Sequence, residues 1–406
     1  MIKNSFIFSL IFFLLNVHAQ KKGCTDLQAA NYDPTAIQND GSCEYNTTNY
    51  TPQIICSKLS DSLKESSGLL NYNNWFWSQG DSGNEPTLYA FDSITGKIIH
   101  QTFIKNYANK DWEDITQDSL HFYIGDFGNN DGNRTDLLIL IVNKADLKLN
   151  QKRDSLDAAL IKFSFADQTS FVTRSQNHNF DMEAMSFYKD SLHLFSKNWV
   201  DNNTRHYILP AIAGTYSLSP LETLVVGGQV TGACINAKQD KIILTGYNKS
   251  TGVCFMHMLS KYHNGAVFNG NKRRIGLGNA LSFGQNEAVC FKGNTLYFTN
   301  EEKFTSASLR RVEIGQWFTE KVKDTNGLNL LHIERNKFKV YQLKSNLIIE
   351  GEPSAIKQEV VLLNTEGKIV LSKIMDTPIE YLDIKLLPKG IYILRIGTFW
   401  QKVWIE

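Results

Sequence analysis

The sequence predicts an all-β protein: a β-propeller of five or six blades, with six favoured, followed by a C-terminal Ig-like β-sandwich. Short runs of β-branched and aromatic residues alternate with Asn, Asp and Gly clusters, which indicates many short strands joined by tight turns. A loose repeat recurs through the central region, and repeats of about 40 to 50 residues with several strands each are typical of propeller blades. Residues 331–406 instead show short alternating strands separated by Gly turns.

The repeat consists of five segments, each with a small or acidic cluster, an apolar run, a polar turn and an alternating strand. The spacings between their starts are 46, 70, 50 and 55 residues. The wide second gap can hold an extra blade or a long insertion, which is why six blades are favoured, and we place the propeller at residues 52–315. The segments start at Glu65, Asp111, Asp181, Thr231 and Asn286.

The composition excludes some classes of function. The chain has 42 Lys+Arg against 41 Asp+Glu, and no basic stripe stands out, so a nucleic-acid partner is not expected. Hydrophobic content of 42% with 20% charged residues excludes a wholly disordered chain.

The N-terminus predicts export. Residues 1–19 read as a removable signal peptide, with Lys3 before an apolar run from Phe6 to Val17 and small Ala19 at a plausible cleavage point. No later stretch is apolar enough for a transmembrane span. We therefore expect a secreted or outer-surface protein whose cysteines meet an oxidising compartment.

Residues 20–50 form a small acidic module and a linker. Cys24 and Cys43 sit in a compact polar setting, and a disulfide between them would close a loop of roughly 20 residues. Oxygen side chains in turn-forming positions between these cysteines have the composition that calcium prefers. The alternative is a disulfide-closed spacer that binds no metal. The candidate calcium ligands are Asp26, Asp33, Asn39 and Asp40.

The string from Gly23 to Tyr45, with Gly-Cys-Thr-Asp near its start and Asp-Gly-Ser-Cys near its end, resembles a short module of secreted proteins from Bacteroidetes-type bacteria. That module is sometimes likened to thrombospondin calcium repeats. The resemblance supports both the disulfide and the calcium hypothesis.

Acidic residues near the blade starts are the main candidate site. The first strand of each propeller blade lines the central channel, so equivalent positions converge although they are far apart in sequence. Several carboxylates in a narrow channel repel one another unless they are protonated or bridged by a cation, and calcium is the hard ion that best fits them. Alternatively, these residues only satisfy backbone groups or hold buried waters. The predicted ring is Glu65, Glu113, Glu183 and Glu287, with Thr231 in the remaining blade.

Polar strings after the second strands of the first two segments form a second set. They suit a rim that receives an anionic or sugar ligand, or they merely reverse the chain. The rim candidates are Asp81, Asn84, Asp126, Asn129, Asn130 and Arg134.

The strings Glu65-Ser66-Ser67-Gly68-Leu69, Asp81-Ser82-Gly83 and Asp111-Trp112-Glu113-Asp114-Ile115 resemble those of a group of secreted bacterial β-propellers. More distantly they are similar to SdiA-regulated and phytase-esterase-like propellers. The resemblance implies a propeller with a metal in its channel, and it supplies no substrate. The ligand expected from the sequence is thus an unidentified small molecule, glycan or surface component.

Whether the protein is an enzyme is left open by the sequence. It contains no Gly-x-Ser-x-Gly elbow, no His-Glu-x-x-His and no Walker loop. The alternative to a binding protein is a calcium-dependent hydrolase of phosphoesters or lactones, in which the channel carboxylates hold calcium and activate water.

The C-terminal region, residues 331–406, follows a linker at 316–330. Turn signals at Glu366-Gly367 and Pro388-Lys389-Gly390 separate its strands. This order resembles the C-terminal sorting domain of type IX secretion cargo, which implies export by the type IX machinery. The usual proline turn is missing at residues 340–344, and the alternative is an accessory sandwich that helps to bind a ligand. The matching residues include Pro388, Gly390, Tyr392 and Lys402.

Overall fold

The computed structural model describes residues 21–318, 338–343, 345–351, 357–397 and 399–405. It divides into two compact units, residues 1–319 and 320–406. The predicted signal peptide at 1–19 and most of the predicted linker at 316–330 lie outside the described residues. Within the described ranges, no helix is long and apolar enough to cross a membrane.

The first unit is built almost entirely of strands. The helical segments among its described residues are α1 (Ala280–Phe283) and three short 3-10 turns at Asp61–Leu63, Lys144–Asp146 and Gly315–Trp317. The strands are β1 Lys22–Gly23, β2 Gln38–Asn39, β3 Thr48–Asn49, β4 Gln53–Cys56, β5 Ser66–Tyr72, β6 Trp75–Gly80, β7 Thr87–Phe91, β8 Ile98–Ile104, β9 Trp112–Gln117, β10 His121–Asp126, β11 Leu138–Asn143, β12 Arg153–Leu156, β13 Ala159–Phe165, β14 Asp181–Tyr188, β15 Ser191–Lys197, β16 Asn203–Pro210, β17 Gly214–Leu218, β18 Glu222–Val225, β19 Gln229–Ile235, β20 Lys241–Tyr247, β21 Val253–Ser260, β22 Asn271–Asn279, β23 Gln285–Lys292, β24 Thr295–Glu301 and β25 Leu309–Glu313.

These strands form the five blades of a β-propeller within residues 21–318. The strand orders, from the innermost strand outward, are β5-β6-β7-β8-β12 in blade 1, β9-β10-β11-β13-β17 in blade 2, β14-β15-β16-β18 in blade 3, β19-β20-β21-β22-β3 in blade 4 and β23-β24-β25-β4 in blade 5. The all-β propeller prediction is therefore confirmed, while the preference for six blades was wrong. The 70-residue gap contains no extra blade, because β12 pairs in parallel with β8 as an added outer strand of blade 1.

Apolar side chains fill the space between each pair of neighbouring blades. One cluster lies between each of the five successive pairs. The ring closes because Leu69 of blade 1 and Cys290 of blade 5 belong to the same cluster. The closure also uses the chain's N-terminal part, since β4 pairs antiparallel with β25 as the outer strand of blade 5. Closure of this kind protects the sheet edges of the last blade.

The cysteine module belongs to the same unit as the propeller. A disulfide joins Cys24 to Cys43, as the sequence predicts. Strand β3 then pairs in parallel with β22 and extends blade 4. Arg273 of β22 lies with its guanidinium 5.1 Å from the ring centre of Tyr45, so the module covers this blade's outer edge.

The second unit is a β-sandwich. Its sheets have the orders β26-β27-β30 and β29-β28-β31-β32, and side chains from both sheets share one apolar core. The Gly367 turn joins β28 to β29 as expected, whereas the Pro388 turn leads from one sheet to the other and makes no hairpin. The strands are β26 Phe338–Leu343, β27 Asn346–Gly351, β28 Glu359–Leu363, β29 Ile369–Ile374, β30 Ile379–Asp383, β31 Gly390–Ile396 and β32 Phe399–Ile405.

Residues of the predicted sorting signal lie on the last two strands and in the turn before them. The Tyr392 hydroxyl donates a 2.8 Å hydrogen bond to the Pro388 carbonyl and so fixes the turn before β31. Gly390 begins β31, and Lys402 of β32 pairs with Ile393. Strand β26 forms despite the missing proline turn and pairs antiparallel with β27.

Candidate functional site

A one-residue bulge recurs near the start of the innermost strand in every blade. In blade 3, Met182 pairs with Ser196 and Ala184 with Phe195, so Glu183 is an extra residue in the strand. Such bulges re-aim the side chain of the extra residue. The residues within the corresponding bulges are Ser67, Glu183, Thr231 and Glu287. In blade 2, both Glu113 and Asp114 lie between the paired residues Trp112 and Ile115.

This alignment places three of the four predicted ring acids, Glu113, Glu183 and Glu287, within bulges. The fourth, Glu65, lies outside the bulge of blade 1. Ser67, two residues after Glu65, occupies the blade 1 position. The Glu65 side chain is exposed, and its carboxylate accepts a 2.7 Å hydrogen bond from the Asn84 amide. The placement of Glu65 in the channel was therefore wrong, because strand periodicity alone does not reveal where the bulge begins.

An acidic cavity of about 170 Å³ opens at this end of the channel. Its lining contains five carboxylates, two lysines and two aromatic rings. Glu113, Glu183 and Glu287 are almost completely buried, so the bulges place their carboxyl groups in a confined space. The lining residues are Asp81, Glu113, Asn130, Gln176, Glu183, Lys197, Trp199, Tyr247, Gln285, Glu287, Glu301 and Lys303.

Burial and mutual repulsion disfavour the ionised forms of these acids. Burial raises the pKa of Glu113 and of Glu183 well above the usual value, and the neighbouring carboxylates add to the effect. Burial, with Glu301 nearby, raises the pKa of Asp81 to about 7 and that of Glu287 to about 8. A cation that enters the cavity replaces protons, because it stabilises the carboxylates in their charged form.

Asp81, Asp111 and Glu113 form the group best placed to hold a metal ion. Each offers one carboxylate oxygen, and the three oxygens lie within 4.8 Å of one another. Among the described residues, no other group of three Asp, Glu, His or Cys side chains meets this condition. A Cβ atom at Gly128 would lie 2.2 Å from Glu113 Oε1 and 2.4 Å from Asp111 Oδ2, so the glycine leaves room for this cluster. All-oxygen ligand sets suit hard divalent cations such as calcium.

Lys197 provides one positive charge inside the cavity. It ends β15, and its ammonium donates a 2.8 Å hydrogen bond to Glu183 Oε1. The same ammonium lies 4.9 Å from the ring centre of Trp199 and 5.9 Å from that of Tyr247. Burial alone would lower the pKa of Lys197, but Glu183 and the other nearby carboxylates outweigh it and raise this pKa well above its usual value.

The predicted rim residues divide into two groups. Asp81 and Asn130 line the cavity. Arg134 instead forms ion pairs with Asp126 at 2.9 Å and Asp136 at 3.1 Å, and it donates to the Gly128 carbonyl. Arg134 and Asp126 thus hold the loop after β10, and neither lines the cavity. Asn129 likewise bonds to backbone and to Asp181, and Asn84 pairs with Glu65.

Among the described residues, the three predicted calcium-binding acids of the cysteine module, Asp26, Asp33 and Asp40, do not form a group whose oxygens all lie within 4.8 Å of one another. Asp26 accepts hydrogen bonds from the Gln28 N–H at 3.0 Å and from the Tyr45 hydroxyl at 2.7 Å. Asp33 and Asp40 each accept from the N–H two residues ahead. These carboxylates stabilise their own turns, and Asn39 lies in β2. The structure therefore gives this calcium hypothesis no clustered ligand set.

Sequence reasoning missed about half of the cavity. The missed side chains of the lining include Lys197, Tyr247 and Glu301, each of which ends the second strand of its blade. Aligning these strand ends would have found them, since Lys197, Tyr247 and Glu301 each pair with the residue two places before the bulge residue of the first strand. Asp111 of the three-carboxylate group was missed as well.

The sequence matches no family model, and no curated protein matches it significantly. Among solved structures, the chain is similar to a 6-phosphogluconolactonase-like protein of Bacteroides uniformis, with 12% identity over 78% of this chain and 88% of that one and a TM-score of 0.33. It is also similar to PorZ, a surface component of the type IX secretion system of Porphyromonas gingivalis, with 11% identity over 84% of this chain, 44% of PorZ and a TM-score of 0.31.

The β-propeller domain of Cps50 (Swd1) from Myceliophteria thermophila is a third similar structure, with 10% identity over 64% of this chain and 99% of that domain and a TM-score of 0.32. All three TM-scores are low, so the fold assignment rests on the sheet order and the closed ring of blades. The class that fold and site define is a five-bladed β-propeller with an acidic cavity at one end of its channel.

Proposed function

We propose that this protein is a secreted or cell-surface propeller that binds a small molecule or glycan in the acidic cavity, with calcium held by Asp81, Asp111 and Glu113. The convergence of these three carboxylate oxygens within 4.8 Å carries the proposal. Glu183 and Glu287 lie in the same cavity, and a bound cation would favour their ionised forms. Calcium would supply an electrophilic point to which ligand oxygens bind.

The remaining lining suits a polar ligand. Lys197 and Asn130 offer hydrogen-bond donors, while Glu287 and Glu301 offer acceptors. Trp199 lies half-buried at the cavity, whereas Trp77 and Trp112 are completely buried between blades 1 and 2. Of these three tryptophans, only Trp199 could contact a ligand.

Calcium titration of the full chain tests the cation site. We expect Asp81→Asn plus Asp111→Asn to remove one bound calcium, as counted by equilibrium dialysis against ⁴⁵Ca. Asp131→Asn, an exposed acid of a surface loop, is the matched control and should bind as the wild type does. Equal calcium counts for the double variant and the control would contradict the site.

A calcium-dependent hydrolase is the second candidate. The observation in its favour is the raised pKa of Glu287, about 8 because of burial and the charge of Glu301, which leaves a protonated carboxyl that could act as a general acid near neutral pH. Turnover of phosphoester or lactone panels in calcium buffer, abolished by Glu287→Gln, would establish this alternative. No turnover across both panels would favour the binding function.

Export by the type IX machinery is the third part of the proposal, and it rests on the sorting-domain resemblance. The strands that carry the resemblance, β31 and β32, form one edge of the C-terminal sandwich. A chain that ends before Leu387 should accumulate in the periplasm. Normal surface display of that truncated chain would refute the sorting assignment.

A further inference from the structure

Lys197 differs in charge from the residues at equivalent positions in the other blades. It pairs with Asp181, two residues before the bulge residue Glu183, at the level where blades 4 and 5 place Tyr247 and Glu301. Blade 1 places Asp81 at this level, since the Asp81 N–H donates to the carbonyl of Glu65, two residues before Ser67. Blade 3 therefore supplies a cation at a ring position where blades 1 and 5 supply acids. The fold does not require a lysine there, since tyrosine serves in blade 4.

The environment of Lys197 is that of a bound cation. The residue is 5% exposed, and its ammonium donates to Glu183, which is 2% exposed. The rings of Trp199 and Tyr247 lie on further sides of the ammonium. A carboxylate together with aromatic faces is the usual surrounding of a desolvated ammonium.

The charge of Lys197 acts on the whole cavity. It favours the ionised forms of Asp81, Asp111, Glu113, Glu183 and Glu287, which belong to four different blades or their connecting loops. The other lysine of the lining, Lys303, is exposed and pairs with Glu301 at 3.4 Å at the mouth. Five lining carboxylates thus face one buried positive charge.

We propose that Lys197 occupies a second cation position of this cavity, so that the cavity admits one calcium ion fewer than its carboxylates could hold. This inference deepens the proposed calcium site and rests on it. Two like charges in a cavity of this size repel strongly, so a fixed ammonium beside Glu183 prevents a second ion from binding there. Lys197 is accordingly a residue that determines stoichiometry and affinity, and it need not contact the ligand.

The test compares bound calcium in the full-length wild type, Lys197→Met and Lys249→Met, measured by equilibrium dialysis and by native mass spectrometry. Lys249 is the matched control, since its ammonium also lies near Trp199, at 5.1 Å, but the residue is exposed. We expect Lys197→Met to bind one more calcium ion than the wild type. Its first calcium should also bind at least about tenfold more tightly, because a nearby like charge is gone. Lys249→Met should match the wild type.

A second variant separates loss of charge from loss of packing. Lys197→Met combined with Glu183→Gln removes both members of the ion pair and should return the calcium count to that of the wild type. If Lys197→Met does not fold, Lys197→Gln, which can still donate a hydrogen bond to Glu183, takes its place with the same expectation.

Each outcome decides the inference. An equal calcium count in the wild type and the Lys197 variant overturns it. If the wild type binds no calcium in the cavity and the variant binds one ion, the inference stands while the proposed calcium site of the native protein fails. If neither protein binds calcium, both proposals fail.

Discussion

The carboxylate of Asp114 in blade 2 accepts the backbone N–H of Ala233 in blade 4 at 3.1 Å, across 119 residues of sequence. The same oxygen accepts the Met185 N–H of blade 3 at 2.8 Å, and the other oxygen accepts the N–H of Ile115. Inner edges of propeller blades leave such N–H groups without strand partners. Asp114 therefore joins three blades at the channel.

Replacing Asp114 should destabilise the propeller. Asp114→Ala leaves the N–H groups of Met185 and Ala233 buried without acceptors, and we expect a loss of about 3 kcal/mol in the free energy of unfolding. Urea titration followed by tryptophan fluorescence measures this loss, and Asp131→Ala on an exposed loop is the control. A loss no greater than that of the control would show that the three bonds contribute nothing net.

Calcium binding should weaken as the pH falls. Burial raises the pKa of Asp81 to about 7 and that of Asp111 to about 6, with neighbouring acids contributing, so protons compete with calcium below about pH 7. The folded protein holds these two protons more tightly than the unfolded chain, in which the pKa of an Asp is 3.8. The calcium-free protein therefore loses stability as the pH rises from 3.8 to about 7. The rise in melting temperature on adding calcium should thus be larger at pH 8 than at pH 5.5. An equal rise at both values would contradict these assignments.

Gly128→Ala should disturb the calcium site selectively. The added Cβ would fall 2.2 Å from Glu113 Oε1, so the carboxylates must move apart. We expect at least about a tenfold loss in calcium affinity, which corresponds to about 1.4 kcal/mol. Gly315→Ala is the control, since its Cβ would meet no atom within 4 Å. Unchanged affinity in Gly128→Ala would show that the carboxylates at this glycine do not bind the ion.

A buried histidine pair should make the propeller sensitive to acid. His193 Nδ1 lies 2.8 Å from His206 Nε2, and His206 Nδ1 lies 2.8 Å from Glu222 Oε1. Burial, reinforced by His206, lowers the pKa of His193 from 6.5 to about 3. The unfolded chain therefore takes up a proton below pH 6.5 that the folded protein refuses, and stability falls between pH 6.5 and pH 3.

The contribution of His193 is measurable by substitution. It amounts to at most about 1.4 kcal/mol per pH unit within that range. His193→Gln should flatten the dependence of unfolding free energy on pH by this amount, whereas exposed His263→Gln should leave the slope unchanged. The same slope in both variants would exclude His193 as the source.

Much of the fold follows from local pattern. The alternation of strands and turn residues predicts the all-β class, and the repeat predicts blades, because both depend on residues close in sequence. The number of blades does not follow. Strand β12 lies between two blade 2 strands in sequence and yet pairs with β8 of blade 1, so the wide spacing between repeats was misread as room for another blade.

The candidate site follows from sequence only where each blade repeats the same element. Glu113, Glu183 and Glu287 were predictable because the channel strand recurs. Glu65 was misplaced by two residues, since a bulge changes which residue faces the channel. Arg134 was predicted to belong to a rim that receives a ligand, but it is paired with Asp126.

The sequence by itself determined the strand pattern, the cysteine pair and the acids near the blade starts, because each is written in neighbouring residues. Only the tertiary structure decided that there are five blades, that Ser67 replaces Glu65 and that Lys197 lies among the carboxylates. These facts depend on which residue of each strand forms the bulge and on which strand ends lie next to one another. The residues concerned are 46 or more positions apart in the sequence. Convergence of this kind places acids that are unremarkable in sequence within one desolvated cavity, where burial and mutual repulsion raise their pKa values.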